Sequence, residues 1–214
     1  MSKIFVLSMV LLASVAVVQA ELVPCPESGA LTLLTGLSSD GCISQDKIFS
    51  DFAYSGDVAA ADVNINLVLQ TGTSDIHGWS FVPLTAWGVG FTLSYTITVA
   101  PGNPLVAIIQ SKDQMNSGAI PNTVTINDIQ TGVTPSPLVL SGAGAGIETV
   151  FSDLYNLQTV HTVSTATVGA GSNLLSYEQD FLESTGIPEP VSFVLIGSGL
   201  LGLGLLRRRG ASKS

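Results

Sequence analysis

The sequence predicts an all-β protein, a single antiparallel β-sandwich domain, and three observations carry that expectation. Val, Ile, Thr, Ser, Gly and Asn dominate the middle of the chain. Apolar residues there alternate with polar ones: Val63, Ile65, Leu67 and Leu69 share one face, as do Phe91, Leu93, Tyr95, Ile97 and Val99, which is the period of half-buried strands. Turn chemistry interrupts the alternation at short intervals, in Pro101-Gly102-Asn103-Pro104, Asn116-Ser117-Gly118, Thr131-Gly132 and Pro135-Ser136-Pro137. Many short strands separated in this way indicate a sandwich.

Taken in order, strands are expected over residues 47–54, 62–70, 78–82, 91–99, 105–111, 123–129, 146–151, 159–168 and 174–181. No segment between the two ends of the chain shows the spacing of an amphipathic helix. The strand-rich region spans residues 21–186, a length suited to one domain.

Residues 1–20 have the three parts of a secretory signal peptide: a basic start at Lys3, an apolar run from Ile4 to Val18, and Val18-Gln19-Ala20, which fits the small-x-small cleavage rule. Cleavage is expected before Glu21. The apolar run is 15 residues, short of the roughly 20 needed to span a bilayer, so removal is favoured over a permanent anchor. Cys25 and Cys42 are the only cysteines, and an even count in an exported chain points to a disulfide. Closing that loop contributes about 3 kcal/mol by loop entropy. Two sulfurs with no nearby histidine cannot complete a tetrahedral metal site, and the spacing is not the Cys-x-x-Cys of redox motifs.

Charge narrows the partners. The chain carries 16 acidic and 7 basic side chains for a net charge of -9, and within residues 21–186 only Lys47 and Lys112 are basic. A nucleic-acid binder needs a basic face to meet phosphates, so no nucleic-acid partner is expected. An acidic surface suits neutral polymers, cations or simple solubility.

Residues 187–214 hold the most specific pattern in the sequence. Pro188-Glu189-Pro190 is followed by Val191 to Leu206 without a charge, then by Arg207-Arg208-Arg209. The prolines keep the first segment extended and out of the following helix. The 16 apolar residues give roughly 24 Å of helix, marginal against a hydrocarbon core of about 30 Å, so a transmembrane helix over 191–206 needs thinning or snorkelling arginines. The arginine triplet acts as a membrane stop-transfer signal that stays cytoplasmic, placing the acidic region outside the inner membrane. Gly197, Gly199, Gly202 and Gly204 form a small-residue face suited to packing against another helix, or are simply tolerated in lipid.

The order of these three parts resembles the PEP-CTERM sorting signal of Gram-negative bacteria. In that family the tail is read by exosortase, a polytopic membrane cysteine protease or transpeptidase, and its substrates travel with exopolysaccharide and biofilm systems. The resemblance makes Pro188, Glu189 and Pro190 the recognition site, Val191 to Leu206 a temporary anchor in the inner membrane, and Arg207, Arg208 and Arg209 the retention signal. It makes exosortase a processing partner and exopolysaccharide an associate. Gly41-Cys42, then Lys47-Ile48-Phe49-Ser50-Asp51-Phe52, then Ser94-Tyr95-Thr96-Ile97 are also similar to a set of PEP-CTERM surface proteins, which implies a sandwich and no particular activity.

Motifs for catalysis or cofactors are sparse. Asp62, Asn64 and Asn66 start like an EF-hand loop, but Leu67 stands where glycine is required and Thr73 where the bidentate glutamate belongs; the polar outer face of a strand is the better expectation. A calcium site built from separated loops could draw on Asp40, Asp46, Asp51, Asp57 and Asp75. His77 is expected in a turn and His161 on a strand, and no Gly-x-Ser-x-Gly elbow supports a serine nucleophile. The runs Ser141 to Gly146 and Gly169-Ala170-Gly171 lack the Gly-Lys-Ser ending of a phosphate loop. Two carboxylates flanking a glycosidic bond would leave no local motif.

Trp79, Phe81, Trp87 and Phe91 lie within 13 residues. They are expected to fill the core, with exposed Trp79 and Trp87 stacking on sugar rings as the alternative. The sequence therefore predicts an exported, non-catalytic structural or adhesive surface protein without cofactor or metal. A carbohydrate-binding lectin-like module is the alternative, and a small secreted hydrolase the third.

Overall fold

The structure, a computed structural model, describes residues 22–71, 75–102, 106–118, 123–131, 137–143, 147–148 and 152–184. The signal peptide over 1–20 and the tail over 187–214, with Pro188, Glu189, Pro190, Arg207, Arg208 and Arg209, lie outside the described residues. Among the described residues no helix is long and apolar enough to cross a membrane.

Two sheets make up the fold. The first contains β1 (Val23–Pro24), β3 (Cys42–Ser44), β4 (Lys47–Gly56), β7 (Gly90–Val99), β13 (Thr159–Val168), β9 (Val124–Gln130) and β10 (Leu138–Gly142), in that spatial order. The second runs β11 (Ile147–Glu148), β8 (Ala107–Ser117), β14 (Leu174–Ser184), β6 (Asp75–Pro83), β5 (Val63–Gln70) and β2 (Ser28–Ala30), with β12 (Ser152–Leu157) also paired to β8. Among the described residues, one four-residue helix, α1 (Thr32–Thr35), and a 3₁₀ turn at Ala60–Asp62 complete the elements. Neighbouring strands are antiparallel throughout, except β1 beside β3.

The alternation works where it was expected. On β7, Phe91, Leu93, Tyr95, Ile97 and Val99 are all buried, facing Trp79, Phe81, Tyr177 and Phe181 of the other sheet. The rings interlock: Phe49 meets Trp79 edge-on at 5.5 Å, Phe91 lies 4.7 Å from Trp87, and Phe91 and Tyr177 are 5.6 Å apart. On β5, Val63 and Ile65 are buried, but Leu69 is 43% exposed, on the part of the strand past Asn66 where β2 no longer pairs with it.

A bulge settles the packing of β4. Phe49 and Phe52 are three residues apart, and strict alternation would send them to opposite faces. Asp51 adopts a left-handed φ of 58°, and the register to β7 shifts between Ser50 and Ala53. The inserted residue brings Phe52 back inward, where it stacks on Tyr95 at 5.1 Å and meets Trp79 edge-on at 6.1 Å.

The cysteines behave as expected. Cys25 and Cys42 are bridged with their Cα atoms 4.8 Å apart, tying the strand-edge residue after β1 to the start of β3 in a way that requires an oxidising environment. Gly41 precedes the bridge with φ 75°, and a Cβ there would sit 2.0 Å from the Phe49 carbonyl oxygen, so only glycine fits.

Three expectations need correction. Residues 116 and 117 were expected in a turn, but both belong to β8, which runs six residues past the expected end at Ser111. His77 was expected in a turn, yet it sits inside β6, 1% exposed. Strands β1, β2, β3, β10 and β12 had no counterpart among the expected strands, being short or lacking sustained alternation.

Candidate functional site

Two polar clusters lie inside the sandwich, and both come from positions that share parity with the apolar core. The first crosses the middle of the interlayer space. β8 contributes Ser111 and Asp113, β9 contributes Asp128 and Gln130, β13 contributes Thr162 and Ser164, and β14 contributes Tyr177 and Gln179. Each is 0–3% exposed.

Asp128 is the hub. Its Oδ1 accepts from Thr162 Oγ1 at 2.6 Å and Ser164 Oγ at 2.9 Å, and its Oδ2 accepts from Gln179 Nε2 at 2.7 Å and from Gln130 Nε2. Asp113 Oδ1 accepts from Tyr177 Oη and from the same Gln179 amide, both at 3.1 Å. Ser111 Oγ donates to Gln130 Oε1 at 2.7 Å. Burial pushes Asp113 well above the usual carboxylate range, and the neighbouring Asp128 charge pushes the same way. Burial raises Asp128 too, but the hydrogen bonds from Thr162, Ser164, Gln130 and Gln179 oppose it. Asp113 is therefore the carboxyl that keeps the proton, while four donors support charge on Asp128. Both side chains are 0% exposed, so this pair is closed to a polymer substrate; it joins the layers by hydrogen bonds.

The second cluster lies at one end of the sandwich. Lys47, the first residue of β4, is 1% exposed and points inward. Its Nζ donates to Asp46 Oδ1 at 2.7 Å and to Glu183 Oε2 on β14. His77 of β6 faces the same carboxylates, its Nε2 3.8 Å from Asp46 Oδ1 and 3.7 Å from Glu183 Oε2, and neither ring nitrogen has a hydrogen-bond partner. Burial first, and then the Lys47 charge, lower the His77 pKa to about 4, so the ring is neutral at pH 7.

Asp46, His77 and Glu183 offer ligand atoms within 4.8 Å of one another, a donor set that suits a divalent transition metal. The position between the carboxylates, however, is held by Lys47 Nζ, an internal cation. Of the aspartates considered for a loop-built calcium site, Asp46 and Asp75 come near this cluster. Asp57 instead caps a loop, accepting from the amides of Gly88 at 2.7 Å, Val89 at 3.0 Å and Gly90 at 3.1 Å. Burial raises its pKa, but those amides outweigh it and hold the carboxyl below its ordinary value.

The remaining sequence candidates fall out simply. Trp79 and Trp87 are 0% and 1% exposed, so neither presents a ring face to a sugar. Trp87 Nε1 donates to Tyr54 Oη at 2.8 Å, and Tyr54 donates onward to the Val58 carbonyl. Asn64 and Asn66 lie on the exposed face of β5, and His161 Nδ1 pairs with Thr96 Oγ1 at 3.1 Å across β13 and β7. No motif marks Lys47, Glu183, Asp113 or Asp128 as buried groups, although each shares parity with a core neighbour: Lys47 with Phe49, Glu183 with Phe181, Asp113 with Met115, and Asp128 with Ile126.

The site and the two sheets define a disulfide-bridged β-sandwich with a hydrogen-bonded interior. No known protein-family model matches the chain, and no curated protein matches it. Among solved structures, the chain is similar to TmCBM61 in complex with β-1,4-galactotriose, at 12% identity over 62% of this chain and 84% of that one, with a TM-score of 0.29.

Proposed function

We propose that this chain is an exported PEP-CTERM surface protein whose sandwich serves as a non-catalytic structural or adhesive component of an extracellular matrix. The observation that carries the proposal is the tail: Pro188-Glu189-Pro190, the apolar run 191–206 and Arg207 to Arg209, in the order exosortase substrates present. The Cys25–Cys42 bridge supports delivery to an oxidising compartment. Exosortase recognises Pro188, Glu189 and Pro190, the 191–206 helix holds the precursor in the inner membrane, and the arginines prevent its complete export.

A surface for polysaccharide is available on the outer face of the first sheet. Thr92 and Thr98 of β7 pair with Thr165 and Thr159 of β13, while Ser94 and Thr96 between them face Val163 and His161, so neutral hydroxyls at both ends of this ladder are suited to hydrogen-bonding with sugar hydroxyls. This hydroxyl face, rather than Trp79 or Trp87, is where glycan binding would occur.

The intact mass of protein recovered from the native cell surface tests the proposal. A mass lacking residues 1–20 and everything beyond about Pro190 is expected. Retention of residues 191–214 would make the protein a permanently anchored envelope component and remove the link to the matrix.

A further inference from the structure

Lys47 and Glu183 are in direct contact, their side chains 1% and 5% exposed, and they come from opposite sheets 136 residues apart. Burying an ammonium and a carboxylate takes both out of water, and their mutual attraction often fails to offset that loss. Condensation to an amide removes both charges at once. We propose that Lys47 and Glu183 form a spontaneous intramolecular isopeptide bond, covalently joining β4 of one sheet to β14 of the other.

Every part of the step is present in the cluster. A proton passes from the Lys47 ammonium to the Glu183 carboxylate, leaving a neutral amine against a neutral acid. The Nζ lone pair then attacks Cδ of Glu183, forming the N–C bond and a tetrahedral carbon. Asp46 Oδ1, 2.7 Å from Nζ, takes the surplus proton from nitrogen and returns it to the departing hydroxyl, the C–O bond breaks, and one water leaves. An ammonium and a carboxylate become an amide and water, with no change in net charge and no co-reactant. Asp46 contacts the reacting nitrogen and is the catalytic residue.

Two further features fit this chemistry. His77 is buried with both ring nitrogens unpartnered, and its Nε2 lies 3.7 Å from Glu183 Oε2; an N–H there can donate to the oxygen as negative charge develops and afterwards to the amide carbonyl. Glu183 is shifted toward its neutral form: burial raises its pKa, contact with Lys47 opposes this, and the charge of Asp46 and a hydrogen bond with Asp75 add to the rise. Amide formation from free acid and amine is unfavourable in dilute solution. Here the partners are held in place with water excluded, where effective molarities reach roughly 10⁵–10⁸ M.

The experiment is the non-reduced intact mass of the folded full chain, followed by peptide mapping, and it is independent of how the tail is processed once the termini are defined. The expected mass is lower than that of the chain by one water, beyond the two hydrogens lost at the disulfide. Trypsin should fail to cut after Lys47, and the Lys47 peptide should appear joined to the Glu183 peptide. Glu183→Gln should link with loss of ammonia in place of water, Lys47→Met should show the full mass, and Asp46→Asn should form the link at least tenfold more slowly. A wild-type mass that lacks only the two disulfide hydrogens overturns the proposal without recourse to any variant. So does a water loss that maps to Asp40-Gly41, where a succinimide would give the same mass change.

Discussion

The aromatic region of the interior and the Asp113–Asp128 region are built on the same strands with the same alternation, yet they hold the layers together by different physics. Around Phe49, Phe52, Trp79 and Tyr95, adhesion comes from buried area and ring contacts. Around Asp128, it comes from donors that must all find acceptors, because an unmet buried group costs far more than a met one contributes. A strand's period sets which side chains face inward and leaves open whether the inward face is oil or a hydrogen-bond network.

The comparison is broken most severely by removing its centres. Trp79→Ala leaves a large void and should lower unfolding free energy by about 3–5 kcal/mol. Asp128→Ala strips the acceptor from Gln130, Thr162, Ser164 and Gln179 and should cost a similar amount, about 3–5 kcal/mol. Denaturant titration at two pH values separates the two variants. The Trp79→Ala loss should be the same at both, whereas the Asp128→Ala loss should change because Asp128 and Asp113 share their ionisation.

A pH-dependent effect comes from Asp180, 6% exposed and with Oδ1 unpartnered. Burial, reinforced by Glu178 and opposed by Lys112, raises its pKa to about 7. In the unfolded chain the group ionises near pH 3.8 while the folded protein retains its proton, so this residue makes stability fall as pH rises from about 4 to about 7. The slope is at most about 1.4 kcal/mol per pH unit. Asp180→Asn should flatten thermal-unfolding midpoints across that window, and an unchanged slope would show that Asp180 does not titrate there.

The smallest expected effect is Asp57→Ala, which frees the amides of Gly88, Val89 and Gly90. The site is exposed, and about 1 kcal/mol is expected from differential scanning calorimetry. Because the Asp57 pKa is depressed, its contribution is present above the unfolded-state pKa and disappears as pH falls through the folded-state one.

Much of this fold was legible in the sequence, and the failures have physical causes. β7 emerged nearly complete because its core-facing positions were apolar and its outer ones polar, and β13 because Val and Thr dominate its whole length, although Thr162 and Ser164 face inward. β8 was cut short at Ser111 because its inward positions beyond that residue include Asp113 and Ser117, which look like outer-face residues until their partners on β9, β13 and β14 are known. His77 was misplaced for the same reason, the polar Asp75-Ile76-His77-Gly78 run resembling a turn. The disulfide was readable because the chain has only two cysteines to pair, while the Lys47 cluster depends on residues 46, 77 and 183 converging from three distant places.

The position of β14 has a mechanical consequence. The last described strand lies in the interior of its sheet, paired along Tyr177–Glu183 to β6 and from Leu174 to Ser184 to β8, and the chain leaves it at Ser184 toward the tail. Tension transmitted through the tail would therefore act along a strand gripped on both sides, loading two ladders of hydrogen bonds in shear together instead of opening one edge bond by bond. At the other end, the Cys25–Cys42 bridge would carry load past the residues between it. Force applied at this end of the described chain would thus be met by one of its most extensively paired strands.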